Sequence, residues 1–127
     1  MLPVNDYQKA LYEALKKTNY KVFDEVPADE DLPLMMISDY TLDEGNTKLP
    51  GYKIIQSIDL YSQYNGKKEI NTMVALALEE AMKLENTMIS DSYCISWVRL
   101  NESIVQRMED GLYVAYLKIQ FELEEVI

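Results

Sequence analysis

Residues 51–82, GYKIIQSIDLYSQYNGKKEINTMVALALEEAM, hold an alternating strand, a short polar turn from Gln63 to Lys68, and a run of apolar residues at helical spacing. In the strand, Tyr52, Ile54, Ile58 and Leu60 fall on one face and Lys53, Ser57 and Asp59 on the other. Ile55 and Tyr61 interrupt the polar face, which predicts partial cover there as well. Beyond the turn, Ile70, Met73, Val74, Leu78, Ala81 and Met82 form one helical stripe, with Glu79, Glu80, Lys83 and Glu85 off it and expected in solvent. The stretch reads as a sheet edge handed directly to its covering helix. The stretch has no His, no Cys, no glycine-rich phosphate loop and no carboxylates at metal-ligand spacing, so its distinctiveness is architectural.

Upstream, Val4, Tyr7, Leu11, Ala14 and Leu15 predict an amphipathic helix that starts at Pro3 or Asn5. Lys16 and Lys17 stand where cations suit a helix C-terminus. Tyr20 to Val26 predicts a short strand, and Pro27 to Asp31 an acidic polar loop. Leu32 to Leu42 predicts a further strand, and Pro33 sets its start near Leu34 or places it at an edge. Asp43 to Pro50, DEGNTKLP, predicts an exposed connection or hairpin tip.

Downstream, Tyr93 to Leu100 and Ile104 to Met108 have strand character, and Asn101-Glu102-Ser103 between them is either a bulge in one long strand or a turn between two. Asp110-Gly111 is a hairpin signal. The last strand alternates clearly: Tyr113, Ala115, Leu117, Ile119, Phe121 and Leu123 face one way, and Lys118, Gln120, Glu122 and Glu124 the other. The expected order is α-β-β-β-α-β-β: an α+β fold with a mostly antiparallel sheet of four to five strands, two helices packed on it, and one domain over residues 1–127.

A chain of 127 residues is long enough to bury about two thirds of its unfolded surface in one core. Its 22 acidic and 12 basic residues give a formal charge of −10, which argues against broad binding to nucleic acid or anionic membrane. Cys94 is the only cysteine, so an intrachain disulfide is impossible, which fits a reducing compartment. The N-terminal residues Met1 to Asp6 lack a basic region followed by an apolar run, so no signal peptide is expected. No apolar run approaches the roughly 20 residues of a membrane helix.

Candidate chemistry is sparse. With no histidine, the usual general base and the commonest metal ligand are both missing. Glu79-Glu80 and Glu124-Glu125 are adjacent in sequence, so each pair diverges, and solvated faces account for both. The acidic loop with Asp24, Glu25, Asp29, Glu30 and Asp31 has oxygen ligands but not the alternating acids, central Gly and final Glu of a calcium loop. Cys94, in a strand-like apolar run, reads as a buried structural thiol. Trp97 and Arg99 share a face by alternation and belong to the residue types enriched at interfaces, although core packing of the Trp is the commoner arrangement. Ten tyrosines are more than a small core readily buries, which places some on an exposed sheet face or at subunit contacts.

Three pieces together resemble the tail-completion or tail-terminator (head-tail joining) proteins of siphophages and prophages. The first is Ala10 to Leu15 leading to Val22-Phe23-Asp24-Glu25-Val26-Pro27 and then Leu32 to Ile37. The second is Ile58 to Ile70, IDLYSQYNGKKEI, and the third is the closing hairpin around Asp110-Gly111. The likeness spans nearly the whole chain in order. Where members often place Gly after the second strand, this chain has Ser38-Asp39, and its closing hairpin lacks the Arg-His character of many relatives.

The resemblance implies a non-enzymatic structural protein without cofactor or metal. Such a protein assembles with itself as a ring, typically a hexamer, at the head-proximal end of the tail tube. It ends tube polymerisation and docks the head connector or stopper. Its partners are the tail tube protein and that connector, DNA passes through the lumen without specific binding, and no membrane is involved. It is present in the host cytoplasm during assembly and then in the virion at the head-tail junction. Exposure and composition make Asp43, Glu44, Asn46 and Lys48 of one loop, Asp29 and Glu30 of the other, and Tyr40 and Tyr61 of the sheet the expected contact residues. The competing class is a small cytosolic α+β binding or dimerisation module unrelated to phages.

Overall fold

The computed structural model describes residues 2–45 and 51–126. Helix α1 (Val4–Lys16) is followed by strands β1 (Lys21–Phe23), β2 (Leu34–Glu44) and β3 (Gly51–Ser62). Helix α2 (Lys68–Met82) comes next, then β4 (Thr87–Met88), β5 (Tyr93–Arg107) and β6 (Tyr113–Glu125). The strands form one sheet in the order β1-β2-β3-β6-β5-β4, antiparallel throughout except for the parallel β1-β2 pair. The α+β class and the element order are those expected from the sequence. The sheet has six strands where four to five were expected; the addition is β4, two residues too short to show any period.

Both helices lie on one face of the sheet. Tyr7, Leu11 and Leu15 of α1 and Ile70, Met73, Ala77 and Ala81 of α2 meet Ile54, Ile58 and Leu60 of β3 and Leu117, Ile119, Phe121 and Leu123 of β6 in one buried cluster. The Tyr7 ring meets Phe121 edge-on, with centroids 5.2 Å apart. Met82, placed on the α2 stripe from the sequence, is instead exposed: Ala81 beside it is fully buried, and Met82 lies roughly 100° further round the helix. Lys83, just past that end, pairs with Glu80 at 3.0 Å and Glu79 at 3.8 Å, one helical turn back.

One polar residue belongs to this core. Gln56 occupies a core-facing position of β3 and is fully buried. The Tyr7 hydroxyl donates to its Oε1 at 2.9 Å, and its Nε2 donates to the Ser38 carbonyl at 3.0 Å and the Ser57 carbonyl at 2.9 Å, with the Asp39 carbonyl at 3.3 Å. The β2-β3 register slips between Ile37 and Tyr40, so Ser38-Asp39 form a bulge whose carbonyls face the Gln56 amide. Buried polar groups must find partners, and here one side chain satisfies the helix hydroxyl and the bulge together.

The strand-turn-helix unit of residues 51–82 is held at both ends. Gly51 lies against β6, and a Cβ there would run into the Leu123 carbonyl oxygen. At the other end the buried Ser62 hydroxyl donates to Glu69 Oε1 at 2.6 Å and accepts the Tyr64 N–H at 3.2 Å. Gly66 takes φ +87°, open to glycine without strain, and this bend lets α2 begin at Lys68.

β5 is one strand through the doubtful Asn101-Glu102-Ser103 segment, with register shifts between Ile95 and Trp97 and between Leu100 and Glu102. A bulge, not a turn, is therefore the outcome. The Tyr20–Val26 strand contracts to Lys21–Phe23, while β2 extends through Asp43 and Glu44, paired with Lys53 and Tyr52. These two acids are thus strand residues, not loop residues.

Replacing Gln56 with Leu is expected to destabilise the fold by about 2 kcal/mol in urea unfolding, because the Tyr7 hydroxyl and the Ser38 carbonyl lose their partner in a buried site. Tyr7→Phe should cost about 1 kcal/mol. Wild-type stability in both variants would show that the buried network contributes nothing.

Candidate functional site

The sheet face opposite the helices is covered by no second layer among the described residues. Lys53, Ile55, Ser57, Asp59 and Tyr61 of β3 alternate onto it, paired across to Glu122, Gln120, Lys118, Tyr116 and Val114 of β6. All five β3 residues are half-buried, consistent with the partial cover that Ile55 and Tyr61 predicted. Thr41 and Asp43 of β2 and Trp97, Arg99, Glu102 and Ile104 of β5 flank them on the same face.

Trp97 reaches this face through a bulge. Ile95 pairs with Leu123 and is buried, and unbroken alternation would send Trp97 into the same core. The register slips by one at Ser96, whose hydroxyl donates to the Glu122 carbonyl at 3.2 Å. Trp97 therefore turns outward, 37% exposed, with the Arg99 guanidinium 5.4 Å from its ring centroid. Core packing was the commoner expectation for this Trp, and the bulge overturns it. Cys94 likewise is half-buried and not a core thiol, since it pairs with Glu124 on the outward register.

The structure divides the expected contact residues into separate places. Asp29, in a left-handed conformation at φ +62°, and Glu30 line an apolar groove with Val26, Leu34, Met36 and Tyr61. Lys21 ties this loop down, donating to Glu30 Oε1 at 2.7 Å and to the Asp31 carbonyl. The acidic loop is thus tethered by a polar anchor, Lys21. Asp43 and Glu44 lie at the far end of β2, roughly 30 Å along the strand at its usual rise. Asp43 faces Lys53 at 3.8 Å. Tyr40 is exposed and stands at the β2 bulge opposite Gln56. Asn46 and Lys48 lie outside the described residues. Asp29, Glu30 and Tyr61 are therefore brought together, and the others are not.

Asp59 is the one carboxylate here whose proton affinity is moved. Partial burial lifts its pKa above the usual value, the charge of Asp39 adds to the rise, and hydrogen bonds from Ser38 and Tyr61 oppose it. Tyr61 is raised in turn by burial and by the charges of Asp59 and Tyr116. Among the described residues no group of His, Cys, Asp and Glu is arranged to hold a metal ion. What this surface offers is aromatic, acidic and strand-edge contact area.

The fold matches a chain of the solved structure "Virion of native gene transfer agent (GTA) particle", with a TM-score of 0.75 at 14% identity, over 92% of this chain and 93% of that one. The likeness is one of fold. No family model matches the sequence, and no curated protein matches it. The structural correspondence takes in both helices and the sheet, since it leaves out less than a tenth of either chain.

Sequence reasoning passed over Gln56 because one polar residue in an alternating strand reads as a surface position. It undervalued Trp97 because a one-residue bulge leaves no composition signal. The signal available was the Trp97-Arg99 pairing of interface-enriched types on one strand.

A folded pKa above the unfolded one means that the folded chain holds the Asp59 proton more tightly, so ionised Asp59 opposes folding at neutral pH. That opposition fades as pH falls through the raised pKa and is gone below the unfolded value. Asp59→Asn should therefore be more stable than wild type at pH 7 in thermal unfolding, with the gap closing below about pH 4. A gap that widens on acidification would contradict the assignment.

Proposed function

We propose that this chain is a structural subunit of a virion, and that within it the chain closes the head-proximal end of a tail tube. In this reading copies form a ring, six-membered in the manner the sequence resemblance implies, that stops tube polymerisation and presents a docking surface to the head connector. The observation that carries the proposal is fold likeness over almost the whole of both chains to a chain from a gene transfer agent virion. The ordered sequence motifs, Ile58 to Ile70 above all, support the narrower role at the tail end.

The geometry is compatible with such work. A ring subunit needs a rigid body with free edges and faces, and here two helices brace one side of the sheet while the other side and both flanks remain available. The contact residues proposed are Asp29, Glu30 and Tyr61 at one end of β2, Tyr40 at its bulge, and Asp43 and Glu44 with the neighbouring Asn46 and Lys48 at the other. A net charge of −10 disfavours adhesion to DNA, as a lumen that DNA traverses requires.

Deleting the gene should leave particles with tails of uncontrolled length and heads that fail to join, as seen by negative-stain electron microscopy. Normal-length tails on joined heads would overturn the tail-end role. Absence of the chain from purified particles by mass spectrometry would overturn the virion reading altogether.

A further inference from the structure

We infer that neighbouring copies of this chain join edge to edge, the outer edge of β5 in one copy pairing antiparallel with the outer edge of β2 in the next, so that one sheet continues through adjacent subunits. The inference rests on the ring reading above and deepens it by naming the seam.

Both edges are open for most of their length. β4 covers β5 only at Cys94 and Ile95, and β1 covers β2 only from Leu34 to Met36. Among the described residues no strand pairs with the outer side of Trp97–Arg107 or of Ile37–Glu44. An uncovered edge is a template for another strand.

The two edges differ in character in a way that favours each other over themselves. The chain has two arginines and one tryptophan, and Arg99, Arg107 and Trp97 all lie on β5, where Glu102 is the only acid from Trp97 to Arg107. This stretch carries net positive charge in a chain of −10. Ile37–Glu44 carries Asp39, Asp43 and Glu44 and no Lys or Arg. Two β5 edges meeting about a two-fold axis would bring the positive stretches together, whereas β5 against β2 sets positive on negative.

Direction and register agree. The strands β2, β3, β6 and β5 alternate in direction, and four is even, so copies related by a rotation that preserves strand direction meet antiparallel at a β5-β2 seam. Such head-to-tail contact closes into rings when the rotation closes. Between the Ser38-Asp39 bulge and the end of β2, Tyr40–Asp43 pair with Gln56–Lys53 of β3. Between its own two bulges, Trp97–Leu100 of β5 lie in the same four rows through Glu122–Ile119 of β6. The two stretches thus share four rows, with Leu42 and Val98 in one row and Thr41 and Arg99 in the next.

The outward backbone groups match too. The Gly45 N–H donates inward to the Gly51 carbonyl at 3.2 Å, so by alternation Leu42 directs its N–H and carbonyl out of the sheet. Val98 does the same, because its N–H donates to Glu85 Oε1 at 3.1 Å outside the β5-β6 ladder. Glu85 caps that donor in the lone subunit, and the Leu42 carbonyl of the next copy takes its place. Asp43 then lies diagonal to Arg99 across the seam, within the reach of cross-strand charge pairs.

The test uses two full-length chains in a Cys94→Ser background, one with Thr41→Cys and the other with Arg99→Cys, mixed at millimolar concentration under mild oxidation, with light scattering on the same samples. Disulfide-linked pairs should exceed those of a Thr41→Cys and Gln106→Cys mixture at least about tenfold, because a paired cysteine sits at a millimolar or higher effective concentration. Closed rings without that excess would overturn the seam and leave the ring reading standing. Linked chains that grow without closing would support the seam and overturn the ring. Monomers without linkage would overturn the seam as a self-driven contact.

Discussion

The buried amide of Gln56 ties helix α1, the β2 bulge and the central strand β3 to one another. Its Oε1 accepts from the Tyr7 hydroxyl of α1, and its Nε2 donates to the Ser38 and Ser57 carbonyls. A buried amide without partners would cost several kcal/mol, so the helix, the bulge and the central strand are obliged to keep their mutual register. The same residue explains why β2 can bulge at Ser38-Asp39 inside a sheet without stranding backbone carbonyls.

Bulges then decide what the outer surfaces are. One at Ser96 turns Trp97 away from the core and next to Arg99, and one near Asn101 brings Glu102 into line with Lys118. Because strand alternation has a period of two, a single inserted residue exchanges the faces of everything beyond it. The helix-covered face stays closed by Ile54, Ile58, Leu117 and Phe121, while the aromatic and charged residues collect on the open face and flanks. The packed core and the exposed aromatic and charged residues thereby lie on opposite sides of one sheet.

Much of this was legible in the sequence. The α1 stripe at Tyr7, Leu11, Ala14 and Leu15, the alternation of Gly51–Ser62 and Tyr113–Glu125, and the Asp110-Gly111 turn are long or chemically specific signals, and each reads the same in the structure. The two-residue β4 was too short to carry a period. Asp43 and Glu44 read as a loop because acids are poor strand formers, whereas pairing to Lys53 and Tyr52 carries the strand through them. The expected contact residues scattered because exposure in a sequence says nothing of distance along a strand: Asp29 and Glu30 meet Tyr61, and Asp43 lies at the other end. Trp97 left its expected core environment because of a bulge, whereas Gln56 stays at a core-facing position because buried hydrogen-bond partners meet it there.

Under the proposed reading, the open face and the flanks of this one-side-braced sheet are the contact surfaces of a subunit that closes a tail tube. Cryo-electron microscopy of the intact particle at the junction of head and tail tests it most directly. The account predicts a closed ring of density between the last tube layer and the connector, into which this helix-on-sheet fold fits as the repeating subunit with its helices on one side of a common sheet. Density at that junction which this fold does not fit, or placement of the chain elsewhere in the particle, would contradict it.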